Sequence, residues 1–163
     1  MPTPYWASSG VLAVALLTAC AATGAGRSDV ASRSIAVPGP AGKVQVKVSV
    51  EPALIDPKGD HTVKLLGTHG RLTLVLDSYS SRPQSMSRCQ AGSERWVRLV
   101  DLSARAERYA KLVESCLRDV VPGDPPATWG ADGRGVTVNL LSEPSIMLGI
   151  DAGGRVSTGR VPA

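Results

Sequence analysis

Phenylalanine is absent from this 163-residue chain, and its only large rings are those of three tryptophans and three tyrosines. A buried core must therefore consist mainly of valine, leucine and isoleucine, with Trp96, Trp129, Tyr79 and Tyr109 as its few bulky members. Valine favours strands, and the 17 glycines and 12 prolines favour tight turns between them. Because the length fits one domain, the composition predicts a single, small, β-rich domain.

The sequence also lacks the short motifs that mark common enzymes. It contains no G-x-S-x-G, S-x-x-K or H-E-x-x-H pattern and no phosphate-binding G-x-x-x-x-G-K loop. The glycines of the GADGRG stretch, residues 130–135, precede a predicted strand rather than a helix. They therefore indicate a turn rather than a nucleotide-binding loop.

Histidine is scarce, with only His61 and His69 in the chain. His61 follows Asp60, and several serines lie downstream of it, Ser78, Ser80 and Ser81. These are the residue types of a catalytic triad, but triads are recognised by geometry and not by sequence position. Two histidines in turns are the simpler interpretation. We predict no catalytic residue and no cofactor, and we rank a hydrolase that uses His61 last among the possible functions.

No charged side chain precedes Arg27, and the apolar run Val11–Leu17 is too short for a membrane-spanning helix of about 20 residues. A run of this length fits the hydrophobic region of a signal peptide. It leads into Leu17-Thr18-Ala19-Cys20, which resembles the lipobox of bacterial lipoproteins. The resemblance implies that residues 1–19 are a signal peptide and that lipid on Cys20 attaches the mature protein to a membrane.

Two alternatives stay open, because residues 1–10 contain no lysine or arginine. Ala19-Cys20-Ala21 also fits an A-x-A site for ordinary signal peptidase, which would release a soluble periplasmic protein. The uncharged residues 1–26 are the second alternative, as an uncleaved anchor. Within the lipoprotein class of two-membrane bacteria, an Asp directly after the lipidated cysteine tends to retain the protein at the inner membrane. Ala21 at that position implies the outer membrane, facing the periplasm.

The chain has three cysteines, so at least one of them cannot form a disulfide within the chain, which is unusual for a secreted protein. Lipid on Cys20 would leave Cys89 and Cys116, which we expect to pair in an oxidising compartment. The alternative is two buried free thiols. A metal site is not predicted, because the two cysteines lack C-x-x-C spacing and only His61 and His69 are present to complete it.

Residues 20–42 are rich in alanine, glycine, serine and proline and predict a flexible tether. A single domain is expected over residues 43–161. Alternating valines, short apolar runs and turn residues predict about six strands in it. These strands are Val44–Val50, Thr62–Leu66, Arg71–Asp77, Arg95–Leu102, Gly135–Leu141 and Ile146–Asp151.

Residues 104–121 admit two interpretations. The apolar positions fall at helical spacing, and Glu107 with Lys111 forms a favourable pair one helical turn apart. This pattern predicts a helix that ends before the proline-rich residues 122–126; the alternative is two strands broken near Tyr109. The resulting prediction is an α+β fold, a small antiparallel β-rich domain of about six strands with one helix and one disulfide.

The formal net charge of +4 is small. It does not predict a nucleic-acid partner, and it is compatible with anionic lipid, lipopolysaccharide or an acidic protein. Arginines concentrate near Cys89, and Arg88, Arg95 and Arg98 are candidates for an anion-binding patch. The alternative is an ordinary mixed surface, because acidic residues are interleaved with these arginines, namely Glu94, Asp101 and Glu107.

Two stretches, Cys89–Glu94 and Glu114–Cys116, are loosely similar to a pattern in uncharacterised small bacterial envelope proteins. That resemblance supports the disulfide and implies no activity. The sequence as a whole predicts a monomeric, non-enzymatic binding module, lipid-anchored in the cell envelope, whose partner is an envelope protein or polymer. The alternative is a periplasmic inhibitor or immunity protein against a wall- or membrane-degrading enzyme, with the loop Ser78–Arg88 inserted into the enzyme's cleft.

Overall fold

The computed structural model describes residues 29–83, 89 and 91–160, and these residues form an all-β fold. None of them belongs to a helix long and apolar enough to cross a membrane. The ten strands are β1 (Ala31–Gly39), β2 (Gly42–Val50), β3 (His61–His69), β4 (Leu72–Ser80), β5 (Ser93–Asp101), β6 (Ala106–Ser115), β7 (Pro122–Trp129), β8 (Gly135–Leu140), β9 (Ile146–Ile150) and β10 (Val156–Arg160).

The strands form two sheets. A six-stranded sheet has the order β1-β2-β6-β5-β4-β3, and a four-stranded sheet has the order β10-β9-β8-β7. Neighbouring strands are antiparallel, except that β2 and β6 meet in parallel at the single pair Lys47 and Ala106. The larger sheet curls so that its edge strands β1 and β3 approach each other. It therefore has a concave and a convex face.

Both faces of the larger sheet carry a cluster of buried apolar side chains. Because side chains alternate along a strand, β4 directs Val75 to the concave face and Leu74 to the convex face. The concave cluster is completed by residues from β1, β2 and β5, among them Ile35, Val48 and Trp96. The convex face packs against the smaller sheet, which contributes a cluster of its own, Ala127, Val136, Val138, Leu140 and Leu148. Strands β4 and β5 are thus covered on both sides.

All six strands predicted from the sequence are present, but β1, β6, β7 and β10 were not predicted. The tether prediction for residues 20–42 is wrong where it covers β1. This strand pairs with β2 along its whole length, from Ala31 opposite Val50 to Gly39 opposite Gly42. Ile35 and Val37 are fully buried there, so burial of a short alternating pattern outweighs the flexible composition.

The predicted helix over residues 104–121 is also wrong, and so is the α+β class. Residues 106–115 form β6 without a break at Tyr109, and 116–119 form a turn. The pairing of β6 with β5 shifts register twice, between Arg95 and Trp96 and between Leu99 and Val100. Each bulge adds a residue to one strand and reverses the alternation of side chains. The bulges therefore conceal the two-residue period and leave a spacing that resembles a helix.

The proline-rich residues 122–126 begin β7 rather than only ending the preceding element. Proline lacks an N–H group and is tolerated at a sheet edge or a bulge. Both conditions hold here, because β7 is an edge strand and its pairing with β8 is irregular between Pro122 and Ala127.

Candidate functional site

Several predicted functional residues lie outside the described residues. These are the signal peptide over residues 1–19, the lipidation site Cys20, and Arg88 of the candidate anion patch. Lipidation of Cys20 therefore stays a prediction from its resemblance to the lipobox.

The predicted disulfide is confirmed. Cys89 and Cys116 are bonded with their Cα atoms 5.7 Å apart, and the bridge joins the segment before β5 to the turn after β6. The backbone packs closely on it, because a Cβ atom at Gly92 would lie 2.7 Å from the Cβ of Cys116.

Glu94 reinforces the same junction from inside the molecule. Its side chain is fully buried, and Oε1 accepts hydrogen bonds from the Ser81 hydroxyl at 2.7 Å and the Leu117 amide at 3.3 Å. The carboxyl group therefore links the chain after β4 to the turn that carries Cys116. The sequence interpretation of Glu94 as a surface charge is wrong, because the alternation of β5 turns it inward with Trp96.

Arg95 and Arg98 of the candidate anion patch do not form one exposed group, since Arg98 is fully buried on the concave face. Its Nε donates to Asp77 Oδ2 at 2.7 Å, and its Nη1 donates to Glu107 Oε1. Arg95 points away from that face and pairs with Glu114 at 3.0 Å. Their closeness in sequence suggested a cluster. Arg95 and Arg98 are, however, an odd number of residues apart on the same strand, so their side chains face opposite sides of the sheet.

His61 belongs to the same buried network. Its Nε2 lies 2.7 Å from Asp77 Oδ1, and its ring stacks on Tyr79 with centroids 4.4 Å apart. Burial, together with the nearby Asp77 carboxylate, raises the pKa of Tyr79 above its usual range. Asp77 therefore holds His61 and Arg98 at once, and the network joins β3, β4, β5 and β6 across the concave face.

Two of the serines considered for a triad, Ser80 and Ser81, have other partners. Ser81 donates to Glu94, and the Ser80 hydroxyl accepts the amide N–H of Asp60 at 3.0 Å. The sequence paired His61 with Asp60, whereas the structure pairs it with Asp77. Residues 78–80 belong to β4, and Ser81 bridges to Ile55. The predicted inhibitory loop Ser78–Arg88 is therefore not a loop in its first four residues.

A cavity of about 590 Å³ lies where three hairpin turns meet. The turns are those between β3 and β4, between β7 and β8, and between β9 and β10, so both sheets contribute. Three of its lining residues carry basic side chains, His69, Arg71 and Arg134. The remaining lining residues are Leu72, Gly133, Ile150, Asp151, Ala152 and Gly154.

Glycine gives two of these basic side chains their space. Gly133 has φ of +65°, and a Cβ atom there would lie 2.1 Å from Cε1 of His69, whose ring also lies 5.8 Å from that of Trp129. Gly154 has φ of +75°, and a Cβ atom there would lie 2.6 Å from Nη2 of Arg71. Both backbone conformations favour glycine, and both missing side chains leave room for a basic side chain.

Arg71 is fixed at the cavity by contacts on two sides. Its Nη2 donates to the Gly153 carbonyl at 2.7 Å, and its Nε lies 3.2 Å from Asp101 Oδ2. Burial opposes ionisation of Asp101, but the Ala104 amide and the guanidinium groups of Arg108 and Arg71 outweigh it and lower the pKa. Asp101 therefore stays ionised and neutralises part of the charge at this end of the cavity.

This cavity was not predicted from the sequence, although the sequence carries a signal for it. Each of the three turns contains glycine followed by arginine, at Gly70-Arg71, Gly133-Arg134 and Gly154-Arg155. All three glycines have positive φ. The packing of the two sheets decides which of the three arginines line the same cavity. The Gly-Arg dipeptides do not reveal that packing.

No protein-family model, curated protein or solved structure matches the chain.

Proposed function

We propose that this protein is a lipid-anchored component of a bacterial cell envelope whose all-β domain acts as a non-enzymatic binding module. The observation that carries the proposal is the Cys89–Cys116 disulfide. Disulfides of this kind persist in oxidising compartments such as the periplasm and are rare in the cytosol. The bridge also leaves Cys20 as the remaining cysteine of the chain, in the position that the lipobox resemblance assigns to the lipid.

The distance between Cys20 and the domain supports attachment close to a membrane. Strand β1 begins at Ala31, so residues 21–30 are the only link. Fully extended, a link of this length spans about 35 Å. The domain of a lipidated protein would thus stay within a few tens of ångströms of the bilayer. Within the lipoprotein class, Ala21 after the lipidated cysteine favours the outer membrane, facing the periplasm.

The paired charges inside the domain support a rigid scaffold for binding. Asp77 contacts both Arg98 and His61, and Glu107 contacts Arg98 and the Ser49 backbone amide. Paired charges of this kind fix neighbouring strands and stabilise a rigid scaffold. Binding surfaces are commonly carried on loops that such a scaffold holds in place.

Replacement of Cys20 by serine tests the anchor. We expect the wild-type protein in the membrane fraction of a two-membrane bacterium, with an intact mass showing an acylated residue 20 and no leader. Cys20→Ser should move the protein out of that fraction, whereas Thr18→Ser, which keeps a small residue before the cleavage point, should not. An unmodified residue 20 in the wild-type protein would refute the anchor.

Crosslinking in envelope fractions tests the binding role. Capture of a defined envelope protein or polymer by the wild-type protein supports a binding module. Specific capture of a wall- or membrane-degrading enzyme, with loss of that enzyme's activity, would favour the inhibitor alternative. A hydrolytic activity that is lost in His61→Ala would contradict the non-enzymatic role.

A further inference from the structure

The cavity between the three turns brings together three basic side chains, and not all of them are paired with an acidic residue among those that the structure describes. Arg71 is shared with Asp101. Arg134 is exposed, and its guanidinium group has no hydrogen-bond or ion-pair partner among residues 29–83, 89 and 91–160. Asp132 contacts the backbone amide of Arg134, not its side chain. The guanidinium group of Arg134 is therefore available to bind a ligand in the cavity.

Asp151, the acidic residue of the lining, forms no ion pair with Arg71 or Arg134. Oδ1 of Asp151 accepts the Arg155 amide at 2.9 Å, so that carboxylate is held within its own turn. Leu72 is buried at the edge of the cavity and Ile150 is half-buried. Apolar residues beside guanidinium groups lower the local polarity on that side, which strengthens the attraction of these groups for an anion.

We propose that this cavity binds an oxyanion, a phosphate or carboxylate group, with Arg134 as its main contact and with Arg71 and His69 beside it. The planar guanidinium fork matches the oxygen spacing of both groups. The glycines at 133 and 154 support a built site, because each leaves the space that one of the basic side chains occupies. This inference names the ligand chemistry of the binding module and rests on that proposed function.

The test uses the full mature chain in a non-ionic detergent, which adds no competing anion. Titrations with inorganic phosphate and with acetate, each against sodium chloride at matched ionic strength, are followed by backbone amide NMR. We expect shifts at His69, Gly133, Arg134 and residues 152–154. Arg134→Gln should weaken binding about tenfold, as expected for loss of a hydrogen bond to a charged group.

Arg155→Gln is the matched control. Arg155 also follows a glycine of positive φ in a hairpin turn, but it does not line the cavity. Its replacement should change the affinity less than twofold. Equal weakening by both variants would show only a general charge effect and would overturn the site, as would the absence of anion-specific shifts.

The source of the anion is resolved by comparing soluble glycerol phosphate with phosphatidylglycerol vesicles. Binding of both that depends on Arg134 identifies a lipid headgroup as an accessible source, and binding of glycerol phosphate alone identifies a soluble or polymer-borne phosphate. Binding of neither, together with retained acetate binding, restricts the site to carboxylates. A failed titration leaves the Cys20→Ser fractionation result unaffected, so the two proposals fail independently.

Discussion

Replacement of Arg98 by methionine is the most demanding test of the concave-face network. Arg98 and Asp77 are both fully buried, and Glu107 is 15% exposed. Methionine has a similar length but no charge. The variant therefore leaves the carboxylates of Asp77 and Glu107 without the guanidinium group that both contact. Removing one member of a buried ion pair costs about 3–5 kcal/mol, because the other charge stays desolvated and unpaired.

That free energy corresponds to a large shift in thermal stability. For a domain of about 130 residues, 1 kcal/mol shifts the melting temperature by about 3–5 °C, so we expect a decrease of about 9–25 °C. Guanidinium denaturation followed by tryptophan fluorescence measures the change directly. Trp96 is a suitable reporter, since the Arg98 guanidinium carbon lies 5.5 Å from the centroid of its ring.

Arg95→Met is the matched control on the same strand. Arg95 pairs with Glu114, but its side chain is 42% exposed. A pair of this kind contributes about 0–1 kcal/mol. Adding Asp77→Asn and Glu107→Gln to Arg98→Met should recover part of the lost stability, because the uncompensated charges are then removed. Equal losses in Arg95→Met and Arg98→Met, or no recovery, would refute the network's role.

Two further predictions concern the disulfide and two tyrosines, the buried Tyr79 and the half-buried Tyr109. The double variant Cys89→Ala/Cys116→Ala should lose about 3–4 kcal/mol of unfolding free energy by the loop-entropy relation for a separation of 27 residues; a loss below about 1 kcal/mol in denaturant titrations would contradict it. Burial raises the pKa of Tyr79 and Tyr109 in the folded protein. The stability linked to them is therefore complete below their ordinary pKa of about 10 and is lost as the pH rises beyond it. Tyrosinate absorbance should appear at higher pH in the native protein than in guanidinium, and coincident titration curves would show that neither ring is buried.

The errors in the sequence-based fold have identifiable physical causes. Regular alternation predicted β2 correctly, because Val46, Val48 and Val50 are all buried. In β6 two bulges interrupt the alternation of buried and exposed side chains, so the spacing of its apolar residues resembled that of a helix. In β7 prolines suggested a break, whereas an edge strand needs fewer backbone donors. In β6 and β7, irregular pairing therefore hid the strand from the local sequence pattern.

The two candidate sites differ in the same way. The disulfide was predictable, because the count of cysteines and the compartment leave few choices. The cavity of His69, Arg71 and Arg134 was not, because its members come from turns of two different sheets. Their separation in sequence carries no information about how closely those turns approach.

The sequence by itself determined the β-rich character, the positions of six strands, the disulfide partners and the resemblance to a lipidated export signal. These properties depend on local alternation, on turn residues and on the number of cysteines. Only the tertiary structure decided that the larger sheet curls with Arg98 inside it, and that Arg134 reaches a cavity while Arg155 does not. The reason is that burial and proximity depend on which faces pack together, and an isolated strand pattern does not specify its partner.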